Sequence, residues 1–222
     1  MKITNLYISI IFFLFLNSFL RANPNQQLLE AIKLSDVNKT RTVLSEGANP
    51  NYVIASGKRK GLTPLMLAIV GKDTALIKLL LQKGANPNYK IPSGAAKGFT
   101  PLMISLSTSK LPEINLLLLR FGANPKETLT SGELKGTSIL LFAVLYRHPR
   151  VVQELVERGA NPNQIHEFHD KYHSINQSTV LDLAEETNQS KMVDLLKSLG
   201  AKKAKELLPD TWLEIPFDSL NW

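Results

Sequence analysis

Apolar positions along this chain fall into pairs of short clusters that polar residues separate. Residues 65–68 form one cluster and residues 76–81 form a second. A threonine–proline pair at 63–64 precedes the first cluster, as is typical of an N-cap followed by proline in the first helical turn. Gly71 lies between the clusters, where a turn needs backbone freedom, and Gly84 follows the second, where a left-handed cap favours glycine. The pattern predicts two short antiparallel helices.

This helix pair recurs along the chain with a nearly constant period. The string Gly-Ala-Asn-Pro occurs four times, 37, 38 and 37 residues apart, and it begins at Gly47, Gly84, Gly122 and Gly159. Thr63 and Thr100 each open a Thr-Pro-Leu-Met segment sixteen residues after a glycine of this set, and Ser138 keeps that distance. A unit of this size cannot bury its own apolar face, so neighbouring units must stack. The sequence therefore predicts a solenoid.

These motifs resemble the ankyrin repeat, in which a TPLH-like helix opening is followed by a leucine-rich second helix and a GADVN-like turn. The resemblance covers nearly all of residues 25–201. It implies a mainly α fold, an ankyrin-repeat solenoid of about five helix-turn-helix units with long β-hairpin fingers. By register, a first unit contains Leu28 and a fifth extends from Thr179 to Ala201. We therefore expect a repeat domain over residues 23–201, with the first and last repeats acting as caps.

The chain departs from the family pattern at the histidine of the TPLH segment. The aligned positions hold Met66, Met103, Leu141 and Asp182. In the family this histidine ties adjacent turns together by hydrogen bonds. The resemblance therefore implies that stacking in this chain depends more on the burial of apolar surface, at about 25 cal/mol per Å².

Residues 1–22 have the organisation of a secretory signal peptide. Lys2 gives a basic start, residues 6–16 are an apolar stretch, and Ala22 is the first choice for the cleavage position, with Ser18 as a second candidate. The eleven-residue stretch is shorter than the roughly 20 apolar residues that span a bilayer, although an uncleaved anchor extended through Leu20 stays an alternative. We expect an exported protein, periplasmic or secreted, without stable membrane insertion after signal cleavage.

The absence of cysteine narrows the chemistry of the chain. It excludes a disulfide framework, a thiol nucleophile and a zinc–thiolate site, and it suits an oxidising compartment. A repeat array behind a signal peptide also resembles exported bacterial ankyrin proteins. The resemblance therefore implies export, with which the absence of cysteine is compatible.

Positive charge is concentrated at the predicted finger tips. The formal net charge is +7, and aligning the three long fingers places Lys60, Lys97 and Lys135 at one position, with Lys58 and Arg59 beside the first. Stacked fingers would bring these side chains into a basic row that attracts an acidic protein partner, a phosphate group or an anionic lipid headgroup. The alternative is a set of solubilising turn residues. A nucleic-acid partner is not expected, because no aromatic stripe accompanies the lysines.

The family register also assigns residues to the concave helix face. Its apolar members are Val70, Leu145 and Tyr146. Apolar anchors beside charged finger tips are a common arrangement in protein-binding surfaces. The alternative is that Leu145 and Tyr146 pack on a neighbouring repeat.

The fourth finger contains the candidate metal ligands of the chain. His166, His169 and His173 are three and four residues apart and would share one face of a helix, with Glu167 and Asp170 nearby. A tight site needs ligands held by a rigid frame, which a long finger does not provide. We therefore expect no bound metal and no other cofactor, and treat these histidines as weak candidates in a solvated insertion.

The remaining sequence offers no catalytic motif. The chain has no GxSxG elbow, no HExxH segment and no phosphate-binding loop, which predicts a protein that is not an enzyme. Residues 202–222 contain many apolar side chains, Trp212 and Trp222 among them, and are predicted to cap the fifth repeat or else to dock on another protein.

The sequence thus predicts an exported, monomeric, non-catalytic module that binds a protein partner through the concave helix face and the basic finger tips. The alternatives are a metal-binding protein that uses the fourth finger and a secreted effector that acts on a host protein.

Overall fold

The computed structural model describes residues 23–130, 135–169 and 175–208. The predicted signal peptide, residue His173 and both tryptophans lie outside these ranges. The described residues belong to two units, Met1–Asn86 and Pro87–Trp222.

The described part of the first unit contains two helix pairs. Helix α1 (Pro24–Lys33) packs against α2 (Val37–Ser45), and α3 (Pro64–Val70) packs against α4 (Thr74–Gln82). The pairs stack in parallel, with α1 against α3 and α2 against α4. Leu28 in α1, which register places in the first repeat, is fully buried.

Three further helix pairs, a hairpin and a short helix make up the described residues of the second unit. Its helices are α5 (Pro101–Thr108), α6 (Pro112–Arg120), α7 (Ile139–Leu145), α8 (Pro149–Glu157), α9 (Val180–Glu186), α10 (Ser190–Ser198) and α11 (Ala204–Leu207). The first helices of the pairs stack as α5, α7 and α9, and the second helices stack as α6, α8 and α10. The mainly helical repeat architecture is confirmed, and α9 and α10 form a helix pair where the fifth repeat is predicted.

Local sequence sets where the first helix of each pair begins. In four repeats a hydroxyl oxygen accepts a hydrogen bond from the backbone N–H three residues later, at 3.2–3.4 Å; these N-cap residues are Thr63, Thr100, Ser138 and Thr179. Proline follows Thr63 and Thr100 directly, where its missing N–H costs nothing. The predicted helix starts are therefore confirmed.

The turn between the two helices differs from the prediction at one position. Gly71 has φ −71°, an ordinary helical value, whereas the next residue, Lys72, has φ +56°. The equivalent residues Ser35, Arg147 and Asn188 share this left-handed conformation. The strained position of the turn is thus held by a residue with a side chain, and Gly71 is not required for backbone freedom.

The Gly-Ala-Asn-Pro turns connect neighbouring repeats through asparagine side chains. In the first unit, Asn51 donates from Nδ2 to the Gly84 carbonyl at 2.9 Å and accepts from the Asn86 N–H at 2.7 Å. In the second unit, Asn88 makes the same pair of bonds to Gly122 and Asn124, both at 2.8 Å. We call this series of side-chain bonds the asparagine ladder.

The fingers have two kinds of backbone. In each of the first three fingers, one residue makes two backbone hydrogen bonds, to the residues seven and eight positions later, and these bonds close a loop. Ile54, for example, bonds to Gly61 and Leu62. The fourth finger is a two-stranded antiparallel hairpin of β1 (His166–His169) and β2 (Ile175–Ser178), with His166 opposite Ser178. Among the described residues, named strands occur only in this fourth finger.

No helix in the described part of the chain has the length and apolar character needed to cross a membrane.

Candidate functional site

The basic residues of the first unit lie on an exposed loop. Lys58, Arg59 and Lys60 are all exposed, and they lie inside the loop that Ile54 closes. The Lys60 N–H donates to the Gly57 carbonyl at 3.1 Å, and both Gly57 and Gly61 have positive φ. The loop therefore has a defined backbone, on which the three cations are presented to solvent.

The second unit repeats this loop geometry around its own lysines. The Lys97 N–H donates to the Gly94 carbonyl at 3.0 Å, and Lys97 is exposed. Lys135 is also exposed and, like Lys97, precedes a glycine with positive φ. Lys90 forms an ion pair of 2.7 Å with Glu127, so that lysine is partly neutralised.

The three apolar residues assigned to the helix face are exposed within their own units. Val70 is 53% exposed in the first unit, and Leu145 and Tyr146 are 46% and 39% exposed in the second. The Tyr146 ring stacks on Phe142 at 6.1 Å, and Phe142 in turn meets Phe99 edge-on at 5.6 Å. Tyr146 is thus supported by the buried ring of Phe142 while part of its own surface stays in water.

Two further exposed apolar residues were missed by the sequence reasoning. Leu34, directly after α1, is 64% exposed, and Leu111, directly before α6, is 45% exposed. Both lie in the turn between the helices of a pair, where a polar residue is usual. The sequence signal that could have found them is an apolar residue within a predicted turn.

The inter-repeat hydrogen bonds expected to be lost are supplied by other residues. His148 Nε2 donates to the Leu106 carbonyl at 2.9 Å, and Gln189 Nε2 donates to the Val144 carbonyl at 3.1 Å. Both side chains are buried and begin the second helix of a pair. These bonds come from residues outside the TPLH position, so stacking in the second unit has hydrogen bonds between repeats in addition to apolar burial.

Met66 and Met103 explain why the family histidine is dispensable here. Both methionines are fully buried and contribute to the core. At the corresponding place in the fifth repeat, the Asp182 carboxylate accepts hydrogen bonds from the Thr179 N–H and from the Ala204 N–H, both at 2.8 Å. The position thus serves packing or capping in this chain.

The fourth finger does not have the helical geometry on which the predicted metal site depends. Residues 166–169 form a strand, so the helical spacing on which a shared face depends does not hold. His166 is 3% exposed, with Nδ1 donating to the Gly136 carbonyl at 3.2 Å and Nε2 3.3 Å from Ser138 Oγ. Within the described ranges, no group of three or more potential ligands is placed to hold a metal ion.

Burial disfavours the protonated form of His166. Burial lowers its pKa below the ordinary value of 6.5, and the Gly136 carbonyl opposes this effect in part. The neutral ring matches its surroundings, because Nδ1–H donates to a carbonyl and Nε2 can accept from the Ser138 hydroxyl. His166 therefore connects the fourth finger to the N-cap of α7.

The residues after Ala201 that the structure describes contact the fifth repeat. Thr179 Oγ1 donates to the Lys202 carbonyl at 2.8 Å, and Lys203 forms an ion pair with Glu185. The hydrogen bond from Lys203 is the main reason that the pKa of Glu185 is lowered. Capping by the rest of the segment stays a prediction, because residues 209–222 lie outside the described ranges.

A groove lies on the second unit, at the turns between the helices of its last two pairs. It occupies about 310 Å³ and is lined by Arg147, Pro149, Asn188, Gln189, Ser190, Lys191 and Met192. These residues come from the turn between α7 and α8 and from the start of α10. The sequence reasoning did not find this groove.

Comparisons with known proteins agree with this architecture. A family model of ankyrin repeats in three copies matches residues 21–128, and a model of the single ankyrin repeat matches residues 135–167. No curated protein matched the chain. The helix pair of α9 and α10 lies beyond both matches and continues the same stacking. Two family matches that together cover most of the chain show that this chain belongs to the ankyrin-repeat proteins.

Proposed function

We propose that this protein binds another protein and catalyses no reaction. Ankyrin repeats are in general protein–protein interaction modules. The observation that carries the proposal is the exposure of Leu145 and Tyr146 on a rigid support, since Tyr146 stacks on the buried Phe142. A large apolar side chain that is held in place and left in water loses little conformational entropy when a partner covers it.

The basic loops support the same proposal. Lys97 and Lys135 are exposed on loops of the second unit, and Lys58, Arg59 and Lys60 are exposed on a loop of the first. Exposed cations accelerate association with an acidic partner and contribute less to its residence time. We therefore propose that Leu145 and Tyr146 of the second unit, and separately Val70 of the first, provide contact area, and that the cations of each unit steer an acidic protein toward these residues.

The test compares partner recovery between variants of the full chain. Partners are cross-linked in the exported fraction, identified by mass spectrometry and then titrated in purified form. We expect Tyr146→Ala and Leu145→Ser to weaken the recovered complex at least tenfold, and Lys205→Gln, an exposed control, to leave it unchanged. Equal affinities for all four proteins, with unchanged thermal unfolding, would overturn the proposal.

Export is part of the proposal and has its own test. Residues 1–22 carry the sequence features of a signal peptide, with cleavage proposed after Ala22. Mass spectrometry of protein recovered from cells should find a mature chain that begins at Asn23. An intact chain that retains Met1 in the cytosol would contradict export while leaving the binding proposal standing. Light scattering of the mature chain should give the mass of a monomer.

A further inference from the structure

The groove on the second unit has an apolar floor and a basic rim. Met192 is 4% exposed and Pro149 begins α8, and these two supply the apolar surface. Arg147 and Lys191 are exposed and both line the groove, one from each repeat. The lining contains no Asp or Glu. The exposed Glu186 lies on α9 outside the lining.

Both walls of the groove are held by hydrogen bonds to neighbouring repeats. Arg147 Nη2 donates to the Thr187 carbonyl at 3.0 Å, which uses one of the five N–H donors of the guanidinium. The bonds of His148 to Leu106 and of Gln189 to Val144 fix the residues beneath. The groove is therefore formed before any ligand arrives, which lowers the entropic cost of binding.

The charge and size of the groove select one kind of occupant. Two cations without a lining carboxylate favour an anionic group, and the Pro149 and Met192 surfaces favour an apolar side chain next to it. Nucleic acid is disfavoured because the lining has no aromatic side chain on which a base could stack. A volume of about 310 Å³ is at the lower end of ligand pockets and fits one or two side chains of an extended segment.

We propose that this groove binds an acidic peptide segment of a partner protein. Carboxylates of the segment pair with Arg147 and Lys191, and an apolar side chain of the segment packs on Met192 and Pro149. The inference rests on the proposed protein-binding function and adds to it a second surface, on the helix turns, with a stated chemistry.

The direct test uses a defined probe and the full chain. The probe is a fluorescein-labelled peptide that alternates glutamate with leucine, and the control peptide has glutamine at every glutamate position. Fluorescence polarisation should show that the acidic peptide binds and that its affinity falls as salt rises, because the ion pairs are screened. The glutamine peptide should bind at least fivefold more weakly. No binding of the acidic peptide, or equal binding of both peptides, would overturn the proposal.

Variants locate the binding to the groove. We expect Lys191→Gln and Arg147→Gln each to weaken the acidic peptide about fivefold, and Ser190→Trp to abolish binding by filling the groove while both cations remain. Lys205→Gln is the matched control for the loss of one exposed cation and should bind normally. Thermal unfolding checks that each variant is folded. If Arg147→Gln is less stable because it loses the bond to Thr187, Lys191→Gln still tests the groove.

Two outcomes separate this inference from the proposed function. If Lys97→Gln and Lys135→Gln abolish peptide binding while the groove variants do not, the groove is excluded and the finger surface is supported. If the groove variants lose the peptide but the Leu145 and Tyr146 variants keep the natural partner, the groove is supported and the proposed contact surface fails. Displacement of the peptide by inorganic phosphate at equal concentration would overturn the assignment to a peptide.

Discussion

Replacing Lys126 by asparagine should stabilise the protein, because it completes the asparagine ladder. In the second unit, Asn88 bonds to Gly122 and Asn124, and Asn163 bonds to the Gly200 carbonyl at 3.2 Å and to the Lys202 N–H at 2.8 Å. The equivalent residue in the intervening turn is Lys126.

Lys126 does not make the two hydrogen bonds to the next turn that the asparagines of the ladder make. Its side chain lies across Gly159, since a Cβ built on that glycine would come within 2.9 Å of Lys126 Cε. In the described structure, the Asn161 N–H has no side-chain acceptor corresponding to those of Asn124 and Lys202. A cavity of about 90 Å³ lies here, with Lys126, Ser138, Gly159 and Asn161 in its lining.

The expected gain follows from two hydrogen bonds. Each contributes about 0.5–1.5 kcal/mol net, and the loss of the lysine contact with Gly159 offsets part of the sum. We therefore expect Lys126→Asn to raise the free energy of unfolding by about 1–2 kcal/mol, or the melting temperature by roughly 2–8 °C. The reciprocal change, Asn88→Lys, should lower it by about 1–3 kcal/mol, because two backbone groups lose their partner.

Urea denaturation followed by circular dichroism measures these differences, and two further variants separate the causes. Lys126→Ala removes the cation without adding an amide, and Lys126→Asp adds an oxygen that accepts from Asn161 without a donor for the Gly159 carbonyl. The order of stability should be Asn, then Asp, then Ala. If Lys126→Asn is no more stable than Lys126→Ala, the ladder is not the source of the stabilisation.

Three further changes test separate features. Gly71→Ala should stabilise by about 0.4–1 kcal/mol, because φ is helical and the new Cβ would lie 3.5 Å from the nearest atoms; a loss on urea denaturation would show hidden strain. Ser105→Ala should stabilise by about 1–2 kcal/mol, because the buried hydroxyl has no partner among the described residues; a lower urea midpoint would mean that the hydroxyl is bonded. The lowered pKa of His166 means that the unfolded chain binds this proton more tightly, so its contribution to stability is complete above pH 6.5 and is lost as pH falls through the folded pKa. The free energy of unfolding should therefore decrease between pH 8 and pH 5 in the wild type, and this decrease should be absent from His166→Gln. The same pH dependence in both proteins would refute the assignment of the effect to His166.

The sequence by itself determined the features whose physical cause is local. Thr63, Thr100 and Ser138 cap helices through bonds that span three residues, so the helix starts could be read directly from the chain. The period of the Gly-Ala-Asn-Pro string determined the stacking, because units of this size must cover the apolar faces of their neighbours. For Leu145 and Tyr146 the sequence left two alternatives, exposure or packing on a neighbouring repeat. Register places a residue on a face without showing what else covers it.

Tertiary structure alone decided which residues join the repeats. His148 and Gln189 reach carbonyls 42 and 45 residues earlier, and no short pattern contains such partners. The hairpin of the fourth finger was likewise decided by contacts, because His166 bonds to Gly136 and Ser138, 30 and 28 residues away. The groove exists because two turns distant in sequence lie side by side. Local rules specify each repeat, whereas the surface available to a partner depends on how repeats meet.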